Sequence, residues 1–447
     1  MKATKQLQKV LCIGLAGGLI LMCLAGCGDA KEPAAGIPGE VTPTATETEK
    51  PVAPQKTEEP TAPQEEVVFS GPEDKTCTNY VIPDGVTVIG EAAFMSCKSL
   101  TNVEIPNSVT EIGRYAFEGC SALTSIDIPN SVTEIDGYAF EGCSTLTSID
   151  IPNSVTVIGG YAFNGCSALT NIDIPNSVTE IGGHAFNGCN ALTSIDIPNS
   201  VTNIDIGVFT RCQSLTNIEI PNSVTIIGEE AFSECYALTS IEIPNSVTKI
   251  GRNAFHHCEA LTNIEIPNSV TEIGVMAFAS CSALTSIEIP NSVTKISDST
   301  FGACVELTNI KIPNSVTEIG EHAFGDCHAL TSIEIPDSVT KIGKNAFGNC
   351  HTLTSIEIPS SVTEISDSTF WNCYALTNIK IPNSVTKIGR MAFGRCQSLT
   401  SIEIPNSVTE IGEQPFYGCD ALKTINVPEG MDVSGWGLSD SVEIIYY

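Results

Sequence analysis

Fifteen cysteines recur at one fixed step, from Cys97 through Cys120 and Cys143 to Cys419. A thiol column of this kind could form disulfides, ligate a metal or lie reduced in a core. Stacked repeats would bring neighbouring cysteines about 5 Å apart, inside the Cα range of a disulfide, but side chains that all point the same way are poorly aimed for one. The column is odd in number and contains no C-x-x-C, so the usual zinc and redox spacings are absent. A small apolar thiol three residues before a leucine reads as core filler, and the expectation is buried free thiols. A second column holds carboxylates. Glu104, Asp127, Asp150, Asp173, Asp196, Glu219, Glu242, Glu265 and Glu288 occupy one place in nine successive repeats, followed by Lys311, Glu334, Glu357, Lys380 and Glu403. Carboxylates about 5 Å apart repel by roughly 0.8 kcal/mol per neighbour even in water. Ca2+ or a basic ligand would relieve that repulsion; equally, a polar column keeps a sheet soluble and discourages edge pairing. Tyr115, Tyr138 and Tyr161, with His184, form an aromatic column suited to contact with sugar or protein, or to surface decoration. His328 and His351 are column neighbours without a third metal ligand.

Catalysis requires unlike residues gathered at one unique place, whereas this chain offers nearly the same residues at many places. G-x-x-x-x-G-K-[ST], H-E-x-x-H, G-x-S-x-G and G-x-G-x-x-G are all missing. The chain is therefore not expected to be an enzyme, and no cofactor is expected beyond Ca2+ on the acidic column. The net charge of −31 argues against nucleic-acid binding, which needs a basic footprint.

The elements that must carry these columns follow from the repeat. In Leu123-Thr-Ser-Ile126-Asp-Ile128, the two isoleucines share one strand face and Ser125 and Asp127 the other. Pro129-Asn130-Ser131 turns the chain, because proline presets φ and Asn and Ser suit the corner. Val132-Thr133-Glu134-Ile135 alternates again and predicts a second short strand. Ala-Phe-x-x-Cys then brings the chain back through a turn or a short 3₁₀ piece. One winding cannot bury its apolar residues alone, but stacked windings bury them in continuous columns. The x of V-T-x-I-G reads Lys249, Glu272, Lys295, Glu318, Lys341, Glu364, Lys387, Glu410, an alternation that should fix register between neighbouring strands.

The string L-T-x-I-x-I-P-x-x-V-T-x-I-G-x-x-A-F-x-x-C resembles the repeat of BspA-like bacterial leucine-rich-repeat surface proteins. The resemblance implies a mostly β leucine-rich-repeat solenoid, right-handed, of about 15–16 repeats of about 23 residues. It also implies export and binding of host or neighbouring-cell macromolecules. In leucine-rich repeats the L-x-x-I-x-I strand lines the concave sheet, which would put the carboxylate column on the usual binding face.

Residues 1–26 read as a signal peptide: Lys2, Lys5 and Lys9 precede an apolar run from Val10 to Cys23. Leu24-Ala25-Gly26-Cys27 resembles the lipobox of bacterial lipoproteins. In that family the chain is cut before the cysteine, here Cys27, whose thiol and amine carry acyl chains. Each buried CH₂ contributes about 0.8 kcal/mol, so more than one chain gives a lasting membrane anchor. Residues 27–76, rich in Pro, Thr and Glu, read as a disordered stalk. The solenoid is expected over residues 77–428 and a C-terminal cap over residues 429–447. Together these features suggest an exported, lipid-anchored protein on a bacterial cell surface that contacts extracellular or cell-surface proteins, host matrix among them. The alternative is a structural envelope protein, or a scaffold presenting a partner, with no soluble ligand.

Overall fold

In the computed structural model, residues 66–447 are described. The expected signal peptide, Cys27 and the expected stalk as far as residue 65 lie outside the described residues. From there the chain winds into a parallel β-solenoid of about 16 turns, about 23 residues each, with no helix among the described residues. Most windings lay down a first strand such as Ser148–Asp150 and a second such as Val157–Ile158, and at Asp127, Asp196 and Glu219 the first strand is reduced to an isolated bridge. Alternation decides what each strand buries: Ile149 faces inward while Ser148 and Asp150 face solvent. The Pro-Asn-Ser corner closes as a β-turn in which the Val155 N–H donates to the Pro152 carbonyl at 3.0 Å. Neighbouring windings pair one repeat apart, Ile149 with Ile172 and Lys249 with Glu272. Polar side chains reinforce the pairing. The Thr133 N–H and hydroxyl both donate to the Thr110 carbonyl, at 2.9 and 3.3 Å. The Ser223 hydroxyl donates to the Val201 carbonyl at 2.6 Å. Glycine after the second strand has a steric cause, since a Cβ at Gly159 would lie 2.4 Å from the Gly137 backbone nitrogen.

The return over Ala-Phe-x-x-Cys is a run of turns and not a 3₁₀ helix, because alternate amides point out of the winding. The N–H groups of Tyr138, Phe140 and Gly142 donate to Gly160, Ala162 and Asn164 of the next winding at 2.7–2.9 Å. Those of Ala139, Glu141 and Cys143 donate three residues back, at 3.1–3.3 Å. This alternation places two residues per winding in the left-handed region, for example Tyr138 (φ 62°) and Gly142 (φ 68°).

The core is columnar. Val, Ile, Ala, Phe, Cys and Leu of successive windings are buried, and the phenylalanines stack ring on ring, Phe117 on Phe140 at 5.2 Å and 2°. Each buried phenylalanine contributes about 1.5–3 kcal/mol, and only stacked neighbours provide that burial. Both ends are covered. At the N-terminus Val68–Phe69 pairs with Val88–Ile89, and the Phe69 ring lies 5.4 Å from Tyr80 and Phe94. The solenoid therefore begins within the expected stalk and not at residue 77, because those apolar residues close the open edge of the Phe column. At the C-terminus Glu443–Tyr446 pairs with Thr424–Val427. Trp436 is buried against Phe416 at 5.9 Å, and the Tyr447 hydroxyl donates to the Ile404 carbonyl at 2.8 Å.

Candidate binding surface

Every member of the carboxylate column, Glu104, Asp127, Asp150, Asp173, Asp196, Glu219, Glu242, Glu265 and Glu288, is exposed on the face of the first strands. They stand in register: Asp150 pairs with Asp173, Glu242 with Glu265, and single bridges link Asp127 to Asp150 and Glu219 to Glu242. The isoleucines on either side hold the spacing because they are locked in the core. At Lys311 the run of like charge stops, and its ammonium donates to Glu288 at 2.6 Å. Open grooves repeat along this face. One of about 570 Å³ is lined by Asn263, Glu265, Ser286, Glu288, Asn309 and Lys311. Another, of about 710 Å³, is lined by the equivalent Asn217, Glu219, Ser240 and Glu242. Such a surface offers hydrogen-bond acceptors and negative charge in a ruled array. Among the described residues no three His, Cys, Asp or Glu side chains converge on a point where they could hold a metal ion.

The aromatic column lies on the return arc. Tyr115, Tyr138, Tyr161 and His184 are half-buried and stack at 4.6–4.7 Å between centroids. From Tyr138 to His184 the ring faces cover one another, at 5° and 24° between planes, whereas Tyr115 is tilted by 30° from Tyr138. The column beside it carries a signal that the aromatic spacing alone does not single out: the residue before each aromatic runs Arg114, Gly137, Gly160, Gly183. The Arg114 guanidinium carbon reaches both Tyr115 and Tyr138, at 4.9 and 5.2 Å from the ring centroids. Close by, burial pushes the carboxyls of Glu111 and Glu118 upward, and Glu134 and Glu141 respectively add to it.

The other marked residues are structural. Among the described residues the cysteines are free thiols, buried from Cys97 to Cys419. From Cys120 onward each Sγ–H donates at 3.1–3.3 Å to the carbonyl of a phenylalanine 26 residues earlier, as Cys235 does to Phe209. Burial pushes thiols such as Cys120, Cys166 and Cys235 up to about 12. His328 and His351 stack at 4.5 Å, with Tyr374 next at 4.6 Å, so the imidazoles lie face on face. Phe209 belongs to the buried Phe column. The alternating charges meet as the spacing predicts: Glu318 takes Lys295 and Lys341 at 3.3 and 2.7 Å, and Lys387 takes Glu364 and Glu410 at 3.6 and 3.4 Å.

Short parallel strands in register, one buried leucine-based motif per winding and an outward polar ladder together define a leucine-rich-repeat solenoid. The family model described as a BspA type leucine-rich repeat region matches residues 69–190, 133–262, 207–331 and 317–435, and the chain belongs to that family. Among solved structures, a leucine-rich repeat protein from Bacteroides ovatus is 29% identical, with a TM-score of 0.61, over 87% of this chain and 97% of that one. A leucine-rich cell surface protein from Faecalibacterium prausnitzii is 33% identical, with a TM-score of 0.45, over 80% of this chain and 89% of that one. Comparison with curated proteins gives no match. Membership in this family is consistent with a protein-binding repeat surface.

Proposed function

We propose that this is a lipid-anchored cell-surface protein that mediates adhesion by holding an extracellular protein along its repeat surface, without catalysis of its own. The observation that carries the reading is the unbroken run of nine exposed carboxylates, Glu104 to Glu288, on one face in register. Repetition of one weak contact at a fixed step gives strength through effective concentration, which a single pocket would not need. The apolar run ending in Leu24-Ala25-Gly26-Cys27 and the Pro/Thr/Glu-rich stretch after it supply the anchor and the spacer. Cells expressing the full chain are compared with cells expressing Asp127→Asn/Asp150→Asn/Asp173→Asn/Asp196→Asn, for adhesion to extracellular-matrix and neighbouring-cell proteins, with Ca2+ or a chelator. Adhesion should fall in the variant, and adhesion equal to the parent defeats the reading. Retention of label from a radioactive fatty acid by the parent, and its loss in Cys27→Ser, tests the anchor.

A further inference from the structure

We propose that Trp371, Arg395 and Tyr417, on the return arc near the C-terminal cap, form a site for an acidic sugar, a hexuronate whose carboxylate meets the guanidinium and whose C–H face lies on the aromatic rings. The repeat breaks there. The residue after the buried phenylalanine is glycine at Gly302, Gly325, Gly348 and Gly394, but Trp371 and Tyr417 stand in the windings on either side of Gly394. Gly394 is the seat of the indole, since a Cβ there would lie 2.3 Å from the Trp371 ring. With no side chain of residue 394 between them, the Trp371 and Tyr417 rings stand parallel within 5° and 6.5 Å apart between centroids. Tyr138 and Tyr161 close face on face at 4.7 Å. Parallel rings at 6.5 Å are either parted or slid, and both arrangements leave ring face open. Tyr417 is accordingly 43% exposed, and Trp371 is half-buried.

Charge selects the ligand. Arg211, in the same column as Arg395, is held by Glu234 at 3.1 Å. The windings on either side of Arg395 carry Asn372 and Gly418 instead, and among the described residues no carboxylate lies within ion-pair distance of its guanidinium. Arg395 is exposed, and its guanidinium carbon lies 5.6 Å from the Trp371 ring centroid. Its stem crosses Gly418, where a Cβ would lie 3.0 Å from the Arg395 Cγ. Two glycines thus seat an indole and an unpaired cation side by side. A free guanidinium takes a carboxylate through two parallel hydrogen bonds. A hexuronate carries that carboxylate on the rim of a rigid ring with an apolar C–H face, so one ligand satisfies both features. A glutamate side chain supplies the charge but no flat face. Carboxylates beyond Lys311, such as Glu318, Glu364 and Glu410, are paired with lysine, so an anion is repelled less here than in the N-terminal windings. The site lies on the return arc, away from the first-strand carboxylates, so its failure would leave the adhesion reading standing.

The test is isothermal titration calorimetry of the full chain with tetragalacturonate at physiological ionic strength, and the parent should bind it. Methyl esterification of the sugar carboxyls and Arg395→Gln should each weaken binding about tenfold, the size of a hydrogen bond to a charged group. Tyr417→Ala removes an open ring and should weaken it to a similar extent. Arg211→Gln is the same change in the same column away from the rings and should leave binding unaltered; circular dichroism melts verify that each variant is folded. No binding by the parent, equal binding of the ester, equal weakening by the two arginine changes, full binding by Tyr417→Ala, or equally tight binding of tetraglutamate overturns the proposal.

Discussion

A cysteine in this repeat is a small apolar filler and a hydrogen-bond donor at once. The Phe209 carbonyl accepts from the Cys212 N–H at 3.2 Å and from the Cys235 thiol at 3.2 Å. Cys235→Ala should therefore cost about 1–2 kcal/mol, part lost hydrogen bond and part cavity, read as a lower urea midpoint. With thiols such as Cys235 held near 12, maleimide at neutral pH should label the half-buried Cys77 well before the column. Rapid native labelling of Cys235, mapped by mass spectrometry, would contradict this. Left-handed residues make the second residue-scale case. Ala303 (φ 57°) stands where other windings have Gly119, Gly142 and Gly165. Ala303→Gly should stabilise by roughly 0.5–1 kcal/mol, read as a higher urea midpoint, because the alanine Cβ is strained there. The repeat step makes the thiol column and its burial legible. It does not reveal the thiol's acceptor, which lies further back than one repeat, as Phe209 does from Cys235. Nor does it reveal the left-handed sites, where Tyr, His, Glu and Met stand instead of glycine.

At the scale of the element, strands of two or three residues persist because each pairs with a neighbouring winding and is pinned by buried isoleucines. The expected first and second strands and the cap strand are legible because period-two alternation repeats in every winding. The first strand of all is not. Val68 pairs with Val88, an offset shorter than one repeat, so the step that finds every other winding passes over it. The cap strand is offset too, Thr424 pairing with Glu443, and only its apolar run marks it. Ends matter because an uncovered winding exposes its whole core. Trp436→Ala should cost about 3–5 kcal/mol by unroofing Phe416. In a solenoid the damage is local, so hydrogen exchange should quicken over Thr424–Val427 while Ser148–Asp150 keeps its protection. Uniform loss of protection along the chain would refute nearest-neighbour coupling.

Over the whole molecule, charge divides the solenoid into unlike halves, and acid should act on them in opposite senses. In the N-terminal windings burial and neighbouring carboxylates hold Glu111 and Glu118 above their ordinary value of 4.5. A carboxyl raised in the fold binds its proton more tightly there than in the unfolded chain. These groups therefore oppose folding at neutral pH and cease to do so as pH falls toward and through 4.5. Glu318 is held lower, chiefly by its hydrogen bond from Lys341 despite partial burial, with Lys295 adding to it. Its contribution is present above 4.5 and is lost below that as the carboxylate protonates. Acidification from neutral pH to about 5 should thus raise the urea midpoint of the parent, since the first effect begins before the second. Glu111→Gln/Glu118→Gln should be the more stable protein at neutral pH and should gain less on acidification. Salt separates the two causes further: at neutral pH it screens the repulsion near Glu111 and also the Lys–Glu alternation around Glu318, so it should protect amides of Glu111–Ile112 and relax those of Glu318–Ile319. A pH profile identical in parent and variant would mean that the acidic half carries no repulsive strain, and the demand for a cationic partner would lose its physical cause.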